Sequence, residues 1–190
     1  LLLKTQQITI NMDFRNLVGR YPIGITLNNP LNVSTSGWQG EVGIFTNPQR
    51  EAIFKDTVYS IRAAALLLNK YYNTYNLTSI RSIIDRYAPK NDPNAKNDPN
   101  SYANFVGNKT GIDPNANFEL TESNLKAILK AMTAFEIGTS YAAMIPDSEY
   151  DEGIRLANIK NLVTGSAVGL GTVAFFFNSV VSNIKKKMKK

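Results

Sequence analysis

From Asn161 to Ile184 the chain holds no Asp, Glu, Lys or Arg, and Lys185, Lys186, Lys187, Lys189 and Lys190 follow at once. An uncharged, mostly apolar run of roughly 20 residues has the length that crosses a bilayer core as a helix. Gly165, Gly169 and Gly171 stand among Leu, Val and Phe, and glycine is frequent in membrane helices. A lysine cluster directly after such a run favours the negative, untranslocated face. The run therefore predicts a single C-terminal transmembrane helix over 159–184, a basic tail over 185–190, and a lipid bilayer as partner.

The same tail explains the charge. The formal net charge is +6, from twenty-one basic and fifteen acidic residues. Without the five terminal lysines, sixteen bases face fifteen acids, a balance of +1. A basic surface for nucleic acid is thus not indicated; the excess suits anionic lipid headgroups.

The chain has no His and no Cys. Classical zinc sites, thiol nucleophiles and Ser-His-Asp triads each need a residue type that is missing. No metal or cofactor is called for, and the chemistry open to the chain is that of carboxylates.

Residues 1–20 read as a lead-in. Residues 21–54 are rich in Asn, Gly, Pro and Ser, which predicts loop with short strands near Trp38–Phe45 and Ala52–Phe54. Helices then follow. Asp56 or Thr57 caps one to about Tyr72, Thr78 caps a second that Pro89 ends, and Ser101 starts a third. Thr121 starts a fourth, whose buried face is Leu125, Ile128, Leu129, Met132 and Phe135, with Gly138 as its stop. Ser148 or Asp147 caps a last helix that leads towards the apolar run. The repeat KNDPNAKNDPN reads as a loop of tandem turns, without the ligand spacing of a calcium loop.

Glu136 stands out by position. It lies at the negative end of the fourth helix dipole, two residues before Gly138, and partial burial against Phe135 would disfavour its charge further. Such an environment keeps a carboxylic acid protonated for use as a general acid. An exposed helix-end Glu is the plainer alternative.

Several segments in collinear order carry a resemblance. GRYPIGITLNNPLNV is followed by GWQGEVGIF, IFKDTVYSIRAAALLLNKYY, SIIDRYAP, SYANFVGNKTGID and AILKAMTAFEIG. Together they resemble a family of bacteriophage virion proteins described as lysozyme-like or lytic-transglycosylase-like, over roughly Gly19 to Leu156. The Asn28-Asn29-Pro30-x-Asn32 motif with Trp38-x-Gly40 downstream is its most specific part. The chain departs from the family pattern at Ile23–Thr26 and at Ser60, and the NDPN repeat and the C-terminal run look like additions. Flagellar-type glucosaminidases offer a looser likeness, with comparable pieces in the opposite order.

The resemblance implies a mainly α, lysozyme-like domain over 21–158 with one or two short strands, and peptidoglycan and other virion proteins as partners. It implies Glu136 as the catalytic acid, Asn28 and Asn32 on acetamido groups, Trp38 stacked on a sugar, and Tyr102 or Tyr141 orienting Glu136. A transglycosylase can work with one carboxylate. A hydrolase wants a second, for which Glu41, Asp147, Glu149 and Asp151 are the candidates. Each residue has a structural alternative: Asn28 and Asn29 as turn formers, Trp38 as core, and Arg62 as partner of Asp85 or Glu136. The rival function is a non-catalytic virion component that ties capsid to membrane or binds glycan.

Overall fold

Asp56 opens the helical half of the molecule by accepting a hydrogen bond from the Val58 N–H at 2.9 Å. This is seen in a computed structural model that describes residues 21–46, 50–93, 95–160 and 162. The elements run α1 (Ile23–Thr26), β1 (Glu41–Thr46), β2 (Arg50–Phe54), α2 (Thr57–Tyr75), α3 (Ile80–Tyr87), α4 (Pro99–Thr110), α5 (Glu122–Ile137), α6 (Thr139–Ala142) and α7 (Asp147–Ala157).

Helices α2 to α5 each start where a side chain satisfies free N–H groups. Ser79 and Ser82 form a reciprocal capping box on α3, one residue later than Thr78. Asp98 caps α4, with Pro99 in the first turn where its missing N–H costs nothing. Thr121 caps α5 by accepting from Asn124 N at 3.0 Å. Gly138 ends α5 at φ 88°, a backbone region that favours glycine. α7 follows Pro146 without a side-chain cap and stops at Asn158, which is left-handed at φ 49°.

β1 and β2 pair antiparallel, Phe45 opposite Glu51 and Ile44 opposite Ala52, with a bulge between Glu41 and Gly43. The segment after α1 lies along the free edge of β2: Ala52 N donates to Val33 O at 2.9 Å and Thr35 N to Arg50 O at 2.7 Å. Glu51 thus occupies a middle position, bridged to Ser34 on one side and paired with Phe45 on the other.

Helices α2 to α5 and α7 close around one core of Ile61, Leu68, Ile83, Leu129, Met132 and Tyr150. Leu31, Val33, Ala52 and Phe54 join it from the strand side. Arg62 ties α2 to the end of α7 through Nε to Leu156 O at 3.1 Å, so it partners neither Asp85 nor Glu136. Phe135 is 38% exposed and leaves the buried face expected for it.

The fold class needs one correction. The domain is mainly helical with a two-stranded sheet, but no helix among the described residues is long and apolar enough to cross a membrane. The transmembrane helix is therefore withdrawn from the fold class. Most of the run that suggested it, 163–184, and the tail 185–190 lie outside the described residues. α7 does not continue into that run, because the left-handed Asn158 ends it.

Candidate active site around Glu136

The N-terminal loop meets the end of α5 because Gly24 leaves room for it. A Cβ on Gly24 would stand 2.8 Å from Asn29 O, 2.8 Å from Ile137 Cγ2 and 3.1 Å from Asn32 Oδ1. With that space free, the chain turns through Asn28 and Asn32, both left-handed at φ 50° and 47°. Asn is among the few side chains that accept this conformation.

The three asparagines then take separate tasks. Asn29 is fully buried: its Nδ2 donates to Val33 O and Ala52 O, and its Oδ1 accepts from Val33 N and Ser60 Oγ. Asn28 Nδ2 donates to Phe54 O at 3.0 Å and so also serves the backbone. Asn32 is different. Its Nδ2 donates to Glu136 Oε2 at 2.9 Å, while its Oδ1 is buried with no hydrogen-bond partner.

Glu136 keeps partial solvent access as a residue, yet protein crowds its carboxyl. Burial pushes its pKa above the ordinary glutamate range; interactions with Tyr102 and Asn32 pull the other way and do not prevail. Tyr102, 2% exposed, is stacked on the Phe135 ring with centroids 3.9 Å apart. Its hydroxyl lies within interaction range of the Glu136 carboxyl without meeting hydrogen-bond geometry, and stays unpaired. Burial and the Glu136 charge raise the Tyr87 hydroxyl well above its usual range, and that hydroxyl donates to Leu31 O.

A second carboxylate also bears on the site. Glu51 is 6% exposed and its Oε2 has no hydrogen-bond partner. Burial raises its pKa, its own backbone N–H opposes this, and the Glu136 charge raises it again. The carboxylates proposed from sequence are engaged elsewhere. Glu41 organises the 35–38 turn, accepting from Thr35 Oγ1, Ser36 N and Trp38 N. Burial pushes its pKa up, but those bonds outweigh burial and leave it lowered. Asp147 and Asp151 pair with Lys126 and Lys130, and Glu149 has its pKa raised by burial and by Asp56.

Beside Asn32 opens a cleft of about 300 Å³, walled by Val33, Thr35, Trp38, Leu67, Tyr71 and Tyr87. Trp38 is partly buried, and its Nε1 donates to Ser34 O at 2.9 Å. Tyr141 makes an edge contact with Tyr21 at 6.2 Å and is not brought to Glu136. A larger cleft of about 570 Å³ lies along Ser123, Ala127, Lys130 and Ala134, the side of α5 turned away from Glu136 by helical periodicity. Among the described residues, no group of three His, Cys, Asp or Glu is placed to hold a metal.

The chain is 38% identical to Protein P5 of Pseudoalteromonas phage PM2 over 122 residues, covering 62% of this chain and 72% of that protein. It belongs to the phage virion protein family of P5. No family model matches the chain.

In this member of the P5 family, the structure joins Asn32, Tyr102 and Glu136, and leaves Asn28 and Tyr141 apart from them. Glu51 and Tyr87 were missed by the sequence reading. Glu51 had one local signal, an acid between Arg50 and the apolar Ala52-Ile53-Phe54. That signal becomes informative only once the 33–35 segment is known to cover the second edge of β2.

Proposed function

We propose that this virion protein cleaves the glycan strands of peptidoglycan, opening the cell wall locally as the phage genome is delivered. The observation that carries this reading is Glu136: a carboxyl whose pKa burial raises, held by Asn32, which itself lines an aromatic cleft. A neutral Glu136 can accept from Asn32 on one oxygen and offer its proton from the other. It would protonate the glycosidic oxygen between N-acetylmuramic acid and N-acetylglucosamine as the C1–O bond breaks and oxocarbenium character develops. In a lytic transglycosylase the resulting carboxylate takes the proton of the sugar's own C6 hydroxyl. That oxygen bonds to C1, giving a 1,6-anhydro end without water.

Trp38 and Tyr71 offer apolar faces for a sugar ring. Glu51, when ionised, would stabilise positive charge developing at C1, and in a hydrolase it would be the second carboxylate.

The test is clearance of purified peptidoglycan by the full chain and by Glu136→Gln. Clearance by the first and not by the second supports the reading. Binding of the sacculus without clearance by either protein favours a non-catalytic glycan-binding component instead.

A further inference from the structure

The aromatic cleft continues beyond Glu136's neighbours into a strip of tyrosines and cations at the ends of α2 and α3. Tyr71 lines the cleft and stands beside Tyr75, ring centroids 6.1 Å apart at 32°. The Arg86 guanidinium lies 4.1 Å from the Tyr75 centroid and 5.2 Å from that of Tyr71. The Lys70 ammonium lies 5.7 Å from Tyr75. Tyr75 is 40% exposed and Arg86 is exposed. Neither cation makes an ion pair among the described residues, where the ion pairs fall to Lys126, Lys130 and Arg155.

This combination differs from an ordinary solvated surface charge. A guanidinium stacked on rings is held in place by them, while its in-plane N–H groups keep the fork that matches a carboxylate. Tyr71 belongs to both the cleft and the strip, so a ligand chain filling the cleft would meet the cations where it leaves. The strip beside the cleft is positively charged. Arg86 and Lys70 supply that charge, Arg86 over the rings of Tyr71 and Tyr75 and Lys70 over that of Tyr75. An anionic group on the ligand is drawn to these cations.

We propose that the Tyr71–Tyr75–Arg86 strip, with Lys70, binds the carboxylates of a peptide-bearing amino-sugar chain and selects it over a neutral amino-sugar polymer. The proposal rests on the glycan-cleaving reading of Glu136 and adds the substrate feature recognised beside the same cleft. Arg86 is here a specificity residue. It touches the acidic substituent and not the bond that breaks.

Trp38, the single tryptophan, stands in the cleft wall and reports binding by its fluorescence. The full chain carrying Glu136→Gln, to prevent turnover, is titrated with soluble disaccharide-peptide oligomers and with chito-oligosaccharides of equal length. Arg86→Gln is expected to weaken the peptide-bearing ligand about tenfold, the scale of one charge-assisted hydrogen bond. The neutral ligand should change by less than about twofold, and added salt should weaken only the peptide-bearing one. Lys109→Gln, at a cation over Phe105 outside the strip, is the control expected to alter neither.

Equal loss for both ligands, or no loss for either, overturns the proposal while the cleavage reading stands on its own assay. So does an Arg86→Gln effect confined to vesicles of anionic lipid. Failure of the unsubstituted strip to bind either glycan removes the proposal together with the reading on which it rests.

Discussion

Asn32 donates to Glu136 Oε2 at 2.9 Å, joining the N-terminal loop to the end of α5 across 104 positions of sequence. The bond opposes the rise in the Glu136 pKa, which burial imposes. Replacing Asn32 by Gly keeps the left-handed backbone at φ 47° and removes the amide. The ionised form then loses a donor, so the Glu136 pKa rises further. The basic limb of the pH–activity profile should move to higher pH, with lower activity at its maximum. A carbon-detected NMR titration of Glu136 checks the shift directly.

Glu51 and Glu136 both have folded pKa values above their unfolded ones. The folded state therefore holds more protons than the unfolded state between those two values. Their joint contribution to stability is greatest below the ordinary glutamate range and is lost as pH rises through the folded pKa values. Glu51→Gln removes one of the two contributions and should flatten this decline. It should also raise stability near neutral pH by about 1 kcal/mol, the low end of the cost of an unpaired buried polar group. Urea unfolding at several pH values measures both effects. If Glu51 also supports the reaction, the more stable variant is less active.

Gly24→Ala puts a methyl group where Asn29 O, Ile137 Cγ2 and Asn32 Oδ1 already stand. Backbone and a packed side chain must yield, so a loss of about 1–3 kcal/mol is expected. Because the displaced group includes Asn32, activity should fall at temperatures where the fold persists. Circular dichroism and the clearance assay, run side by side, separate the two losses.

Trp38→Ala should weaken glycan binding with little change in the rate of the bound complex, since Trp38 faces the cleft and makes no bond to Glu136. A stacked aromatic contributes about 1–3 kcal/mol to a flat ligand, so KM should rise about tenfold or more. Trp38→Phe should restore most of it, although the Nε1 bond to Ser34 O is lost.

How much of this was legible depends on how local each signal is. Asp56, Thr121 and Gly138 act within a turn of their own helices, and reading those residues in order locates the start of α2 and both ends of α5 closely. Ser79 was displaced by one residue because its partner in the capping box is Ser82, not the Glu or Gln that usually marks the motif. Glu136 was legible from helix amphipathicity and the glycine after it. The structure adds neighbours that the local pattern does not show: Asn32 bonds the carboxyl, and Tyr87 and Tyr102 lie within its electrostatic reach.

Glu51 was not legible. Its burial depends on the edge of β2 being covered by residues 33–35, a contact set by long-range packing rather than by strand pattern. Asn28 and Asn32 look alike in sequence, four residues apart in one turn-forming motif, and only the packed structure shows which amide reaches a carboxylate.

The central claim, that Glu136 is a general acid acting on a glycan, is tested most directly by digesting purified Gram-negative peptidoglycan. The released fragments are identified by mass spectrometry, for the full chain and for Glu136→Gln. Anhydromuramyl ends from the first and none from the folded second are the expected result, and reducing muramic ends would keep the same acid in a hydrolase. Equal release by both proteins, or no release by folded protein across pH 4–8, would contradict it.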